Sequence, residues 1–269
     1  MKKNYIKIGL LALLTALVYL PTLIWMWDRW FAEESYYSHG ILMPLVTIFL
    51  ILFKKDELSK IRPKKDNIGL VLIGLALLIH LGSAWMRVYF TSGFSIILLI
   101  PGLVLYFLGR EYFKACLSPI LFLIFMVPMP LAFLINISVK LQLFAAQCAT
   151  VLLNKIGIMA ARDGITIKTI HSSMEVAGAC SGMKTLISLL ALGSLVAYFG
   201  QSKIWKKIAL LILTIPIAVC ANTFRVALLT AVNEIYGEKF AMGWFHGFSG
   251  FLLFAVAFLG LMVAKEIIE

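Results

Sequence analysis

The chain has 269 residues, is 62% hydrophobic with a mean hydropathy of +0.97, and carries only 14% charged residues, where a soluble domain carries about a quarter. These values exclude an ordinary soluble enzyme and describe an all-α polytopic membrane protein, a single integral membrane domain over residues 1–269. The net charge of +11 does not describe a nucleic-acid-binding face, because the basic residues cluster in short loops between apolar runs, the distribution that sets membrane orientation. Cys116, Cys148, Cys180 and Cys220 show no paired Cys-x-x-Cys spacing, so neither a disulfide framework nor a zinc site is expected. There is no nucleotide or metal motif, and no cofactor is expected.

In chain order, Lys2, Lys3 and Lys7 precede an apolar run from Ile8 to Trp27. It is too long for a signal peptide and has no small-residue cleavage site, so it reads as a retained first span with a cytoplasmic N-terminus. After a loop with Asp28, Arg29, Glu33 and Glu34, Tyr36-Tyr37-Ser38-His39-Gly40 opens a second span ending near Phe53. Lys54, Lys55, Lys60, Arg62, Lys64 and Lys65 then mark a cytoplasmic loop. Spans three and four, about 68–85 and 91–108, form a hairpin, and His80 within the first of them reads as an interhelical hydrogen-bonding group. A fifth span runs from Ala115 to Pro128-Met129-Pro130, where two prolines mark an exit or a kink.

Residues 135–159 are apolar but interrupted by Asn136, Lys140, Gln142, Gln147, Asn154 and Lys155, so an outer amphipathic or re-entrant helix is expected. Keeping that segment outside leaves about eight spans with both termini cytoplasmic. The cytoplasmic side then holds Lys2, Lys3, Lys7, the six basic residues of the second loop, Arg110, Lys114, Lys203, Lys206, Lys207 and Lys265, which is 15 of the 24 Lys and Arg residues. Apolar and polar residues alternate from Asp163 to Lys168 and again from Met174 to Val176, which predicts a short extracytoplasmic β-hairpin. Spans six (180–199), seven (about 208–230) and eight (about 245–264) complete the chain.

Helix rise places three polar residues at one depth. Cys180, Arg225 and His246 lie 18–23 residues from Lys203, Lys207 and Lys265 respectively, roughly 27–35 Å above these inner anchors and about one hydrocarbon thickness away. Cys180 is expected at the positive end of a helix dipole, where a thiol shifts toward thiolate. His246 occupies a similar end that favours neutral imidazole. Arg225 is expected near a helix C-terminus, with Asn222 one turn earlier on the same face. Nucleophile, proton carrier and anion stabiliser together suggest acyl transfer. Taken singly, each has a plainer reading: Cys180 as a small hydrophobe, His246 as an interfacial histidine, Arg225 as a cation reaching for headgroups, and Lys184 as a positional charge.

Three ordered stretches, Glu175-Val176-Ala177-Gly178-Ala179-Cys180-Ser181-Gly182-Met183-Lys184, Ala221-Asn222-Thr223-Phe224-Arg225-Val226-Ala227 and Gly243-Trp244-Phe245-His246-Gly247-Phe248-Ser249-Gly250, resemble the exosortase/archaeosortase family. Tyr37-Ser38-His39-Gly40 with Pro44, and Pro128-Met129-Pro130, extend the resemblance over most of the chain. It implies a sortase-like membrane cysteine transpeptidase of the cell membrane with an extracytoplasmic site in residues 174–250. Such an enzyme cleaves exported proteins at a C-terminal sorting signal made of a short motif, a membrane helix and a basic tail, and passes them to an amine or lipid-linked acceptor. Carried over by motif, Cys180 is the nucleophile, Arg225 the oxyanion stabiliser and His246 the general acid/base. Asn222, Lys184, Ser181, Glu175 and His39 become candidates for substrate binding or support. Lys184 stands where many members carry arginine; it keeps the charge but loses the bidentate geometry. Two other classes remain open on the residues alone: a transporter or channel with Arg225, His246 and Lys184 along an anion path, and a non-catalytic assembly protein for surface polymer export.

Overall fold

The computed structural model describes residues 13–33, 35–200 and 202–268. Lys2, Lys3, Lys7, the start of the first expected span and Glu34 lie outside the described residues. Two compact units divide the chain, Met1–Met129 and Pro130–Glu269.

In the N-terminal unit, helices α1 (Leu20–Trp30), α2 (Leu42–Phe53), α3 (Lys55–Leu58), α4 (Ile68–Met86), α5 (Tyr89–Leu108) and α6 (Arg110–Leu121) are followed by a 3-10 turn at Phe122–Met126. The α4–α5 hairpin closes through Arg87 in the left-handed region, φ 55°, with the Val88 amide donating to the Ser83 carbonyl at 2.9 Å. Asp66 starts α4 by accepting from the Ile68 amide at 3.0 Å. Pro119 inside α6 cannot donate to the Ala115 carbonyl, and the Lys54 ammonium takes that acceptor at 3.0 Å. This kind of repair is needed where no water can satisfy a freed backbone group.

Polar side chains tie the apolar helices together. Tyr19 Oη meets Ser95 Oγ at 2.7 Å, Thr22 Oγ1 meets Ser92 Oγ at 2.6 Å, and His80 Nδ1 meets the same Ser92 hydroxyl at 2.8 Å. His80 thus bonds between helices, α4 to α5, as its position suggests.

The C-terminal unit contains α7 (Leu131–Lys155), strands β1 (Ala160–Asp163), β2 (Thr166–Thr169) and β3 (Ser173–Glu175), a 3-10 turn at Gly178–Cys180, α8 (Met183–Phe199), α9 (Ile204–Tyr236), α10 (Glu238–Ala241) and α11 (Trp244–Ile268). Helix α9 is the spine, contacted by α7, α8 and α11. Small residues bring the backbones close: Ala145, Ala146 and Ala149 of α7 join the buried cluster with Val226, Ala227 and Leu229 of α9. A Cβ on Gly193 of α8 would lie 3.0 Å from Thr214 Oγ1 of α9.

Residues 135–155 of the expected outer amphipathic or re-entrant segment lie in one unbroken 25-residue helix, α7, which by length and composition is long and apolar enough to cross a membrane. Helix α7 also runs in the direction of α9, since Leu141 shares a small cavity with Ala218 and Val219, while Leu153 is clustered with Leu229. Its polar residues have local uses. Gln142 faces inward, the Asn136 amide back-bonds to the Ala132 carbonyl at 2.9 Å, and Asn154 exchanges two bonds with the Ala160 backbone at 2.9 and 3.0 Å.

Among the described residues, five helices are by length and composition able to cross: α4, α5, α7, α9 and α11; α2 and α8 are shorter apolar helices. The fifth expected span is instead α6 plus its 3-10 turn. The expected hairpin is β2–β3, joined by β1 to make a three-stranded antiparallel sheet in the order β1-β2-β3. The 33 residues of α9 extend about 50 Å, well beyond a hydrocarbon core of about 30 Å. Near its C-terminal end Glu234 accepts from Thr169 Oγ1, the His171 amide at 3.2 Å and the His171 ring at 2.8 Å, clasping the sheet to the helix.

Removing the shared hydroxyl of the α1–α4–α5 network should be felt. Ser92→Ala is expected to lower unfolding free energy by about 1 kcal/mol in bicelles. Thr150→Ala, whose hydroxyl bonds only its own turn at the Ala146 carbonyl, should change it by less than about 0.5 kcal/mol. Equal effects from the two variants would remove the interhelical role of Ser92.

Candidate active site

Strand β3 delivers the chain to the site. Val176, fully buried, donates to the Ile165 carbonyl at 3.0 Å, and the 3-10 turn follows with the Cys180 amide on the Ala177 carbonyl at 2.8 Å. Gly182 then takes φ 78° and α8 starts at Met183. A glycine is required there on two counts: that φ is strained for any L side chain, and an added Cβ would lie 2.6 Å from Asn222 Cγ. The close approach lets Asn222 Nδ2 of α9 donate to the Cys180 carbonyl at 2.9 Å, holding the Cys180 backbone against the spine. Ser181 is buried, and its Oγ accepts from the Met183 amide at 3.3 Å, serving the first turn of α8.

Cys180, Arg225 and His246 meet. Cys180 Sγ lies 3.2 Å from His246 Nε2, and Arg225 Nη2 lies 3.2 Å from the same nitrogen and 3.1 Å from the His246 carbonyl. Arg225 Nε points to Ser249 Oγ at 3.4 Å, and that hydroxyl donates to the His246 carbonyl at 3.0 Å. Among the described residues no carboxylate lies within ion-pair distance of Arg225, although its relative exposure is only 9%. A guanidinium only donates, so in this contact His246 Nε2 stands as the acceptor. The thiol proton is directed at the same lone pair. Cys180 Sγ and Arg225 Nη2 thus converge on one ring nitrogen of His246.

Two expectations about helix ends are corrected. Cys180 is not the first residue of α8 but sits in the preceding turn, where burial pushes its thiol up and the Arg225 charge pulls it down. Burial is the larger cause, because the thiolate loses its hydration before it gains a helix dipole. Arg225 is not near a C-terminus either, since α9 continues to Tyr236. It is held by neighbouring groups of α11 rather than by a helix end.

The supporting residues separate. Asn222 bonds the Cys180 carbonyl, and Ser181 is its chain neighbour, bonded to the Met183 amide. Lys184 is exposed on the first turn of α8 and Glu175 is exposed on β3, so neither joins the trio. His39 belongs to the N-terminal unit, where its ring stacks 6.0 Å from that of Tyr37. Sequence reasoning missed Ser249 and Gly250. Ser249 follows His246 by three residues, the spacing that places both on one helical face, and a Cβ on Gly250 would press on Arg225 Nη2 at 3.2 Å. The space beside Ser181, Gly182 and Asn222 is about 10 Å3, room for one water. No group of His, Cys, Asp and Glu suited to a metal ion occurs among the described residues.

The opposed influences on Cys180 set a pH profile. Its iodoacetamide labelling rate should rise through an inflection above the ordinary thiol value of about 8.5, because burial dominates. Arg225→Gln removes the cation that lowers the pKa, so the inflection should move higher and labelling at neutral pH should slow, while Arg225→Lys retains most of the charge effect. An inflection below that of free cysteine would mean a resting thiolate and contradict this arrangement.

No curated protein and no solved structure gives a match. The family model described as transmembrane exosortase matches residues 27–263, which include all three stretches that form the site. With most of its length matched, this membrane protein belongs to the transmembrane exosortase family.

Proposed function

We propose that the protein is a membrane-embedded cysteine peptidase or transpeptidase. Its proposed substrates are exported proteins bearing a C-terminal sorting signal of short motif, membrane helix and basic tail, cleaved through a thioacyl intermediate. The observation that carries this reading is Arg225: a buried guanidinium with no carboxylate in ion-pair reach among the described residues, in contact with the histidine that faces the Cys180 thiol. Burying such a charge is costly unless something anionic arrives, and the oxyanion of acyl transfer is a group it would suit.

The chemistry follows from the donors present. A scissile carbonyl entering beside Cys180 draws Arg225 Nη2 off His246 Nε2, and the freed lone pair accepts the thiol proton. Sγ bonds to the carbonyl carbon, and the electron pair displaced to oxygen is held by Arg225. Collapse breaks the C–N bond, and His246 returns the proton to the leaving amine. An amine acceptor or water then attacks the thioester, losing its proton to His246, and the thiol is regenerated. Asn222 keeps the Cys180 backbone fixed throughout, and Ser249 steadies Arg225.

The site is proposed to face the extracytoplasmic side of the cell membrane, with lipids around the helices. Support comes from the far ends of α8, α9 and α11, where Lys206, Lys207 and Lys265 line one small cavity near Lys203, the basic pattern of a cytoplasmic end. An anion path is less well supported, because Lys184 stands apart from Arg225 and His246. A purely structural role leaves the Cys180–His246–Arg225 contact without a purpose.

With a co-expressed sorting-signal substrate, Cys180→Ala and Cys180→Ser should abolish processing. Arg225→Lys should slow it by about a hundredfold or more, and hydroxylamine should release a trapped acyl group from the parent only. Processing at the parental rate by both Cys180 variants would sink the enzyme reading. For sidedness, Ile170→Cys, exposed in the β2–β3 turn, should react with an impermeant maleimide in intact cells; protection until lysis would place the site in the cytoplasm.

A further inference from the structure

A second constellation lies in the N-terminal unit, unconnected with the chemistry of Cys180. Arg62, Lys64, Lys65, Asp66, Leu108, Arg110 and Glu111 line a cavity of about 400 Å3, within the size range of small-ligand sites. It sits where α4 begins, α5 ends and α6 begins, at the boundary between apolar helices and a strongly basic loop.

The cavity is built rather than incidental. The Lys64 amide donates to the Leu108 carbonyl at 3.1 Å, and Gly109, at φ 92°, lies against the Lys64 carbonyl where no side chain fits. Loop and helix end are thereby locked together. Both acids in the lining already have partners: Asp66 accepts from Arg110 Nε at 2.6 Å, and Glu111 accepts from Lys114 at 3.3 Å. The Lys65 ammonium stands 4.3 Å from the Tyr106 ring centroid, held at the edge of the cavity. Arg62 and Lys64 have no carboxylate within ion-pair distance among the described residues. Four cations against two acids leave the lining with an excess of positive charge. Beside it the helices present exposed apolar side chains, Leu70 and Val71 on α4 and Phe107 on α5.

We propose that this cavity binds the phosphate-bearing headgroup of an anionic phospholipid. Arg62 and Lys64 supply donors to the phosphate oxygens, and the acyl chains lie along the apolar faces of α4 and α5. Basic recesses at helix ends favour such headgroups by charge, and the adjoining apolar surface distinguishes a lipid from free phosphate.

The test uses the purified full-length protein in detergent with equal phosphatidylglycerol and phosphatidylcholine, reading lipid adducts by native mass spectrometry. The parent should retain phosphatidylglycerol preferentially. Arg62→Gln with Lys64→Gln should lower that adduct by about tenfold or more, with an unchanged melting temperature in phosphatidylcholine. Arg62→Glu, as a second variant, should lower it as well. Lys203→Gln with Lys239→Gln, which removes equal charge elsewhere, should leave it intact. Equal loss in both double variants, or no loss in the first, overturns the proposal. Displacement of the adduct by excess inorganic phosphate would assign the cavity to soluble phosphate and likewise overturn it. None of these outcomes bears on Cys180.

Discussion

A guanidinium inside an apolar helix bundle has to be answered by every element around it, and in the C-terminal unit that guanidinium is Arg225. With no carboxylate within ion-pair distance among the described residues, its donors go to the His246 ring nitrogen, the His246 carbonyl and the Ser249 hydroxyl, all on α11. Gly250 on the same helix leaves it the room to lie flat. Neutral acceptors satisfy the donors but leave the positive charge uncancelled. A salt bridge would have cancelled that charge in place, at lower cost and with no chemical use.

The rest of the unit brings the thiol to this charge. Helix α9 carries Asn222 and Arg225 almost one turn apart, so one helix holds both the Cys180 backbone and the group that contacts His246. Small residues at the α7–α9 and α8–α9 contacts let the helices approach closely, which permits a bond as short as that from Asn222 to the Cys180 carbonyl. The sheet is fastened twice, to α7 through Asn154 and to α9 through Glu234, and it enters the active segment through buried Val176. Position is thus passed to Cys180 from two helices and a sheet, not from α8 alone.

Much of the site was legible because helix rise is constant. Counting residues from the basic anchors places Cys180, Arg225 and His246 at one depth without any knowledge of packing. The same arithmetic could not say which faces they use, so Ser249 and Gly250 escaped notice although both lie within four residues of His246. The polar residues of 135–159 meet a related limit. Periodicity counts polarity but not where a polar side chain finds its partner, and Asn136, Gln142 and Asn154 find theirs within or beside a continuous helix. The additional strand β1 had a local signal, Asp163-Gly164, a pair suited to a tight hairpin turn.

Composition and order alone determined that this is an α-helical membrane protein and which three residues deserve chemical suspicion, because hydropathy and helix rise are properties of the chain itself. Tertiary structure alone decided the state of the site. Whether the Cys180 thiol feels a helix dipole or its own burial, and whether Arg225 meets a carboxylate, a helix end or a histidine, depends on which surfaces pack against them. Those surfaces come from residues tens of positions away, and their electrostatic effect depends on distance and on exclusion of water, neither of which is written in the local sequence.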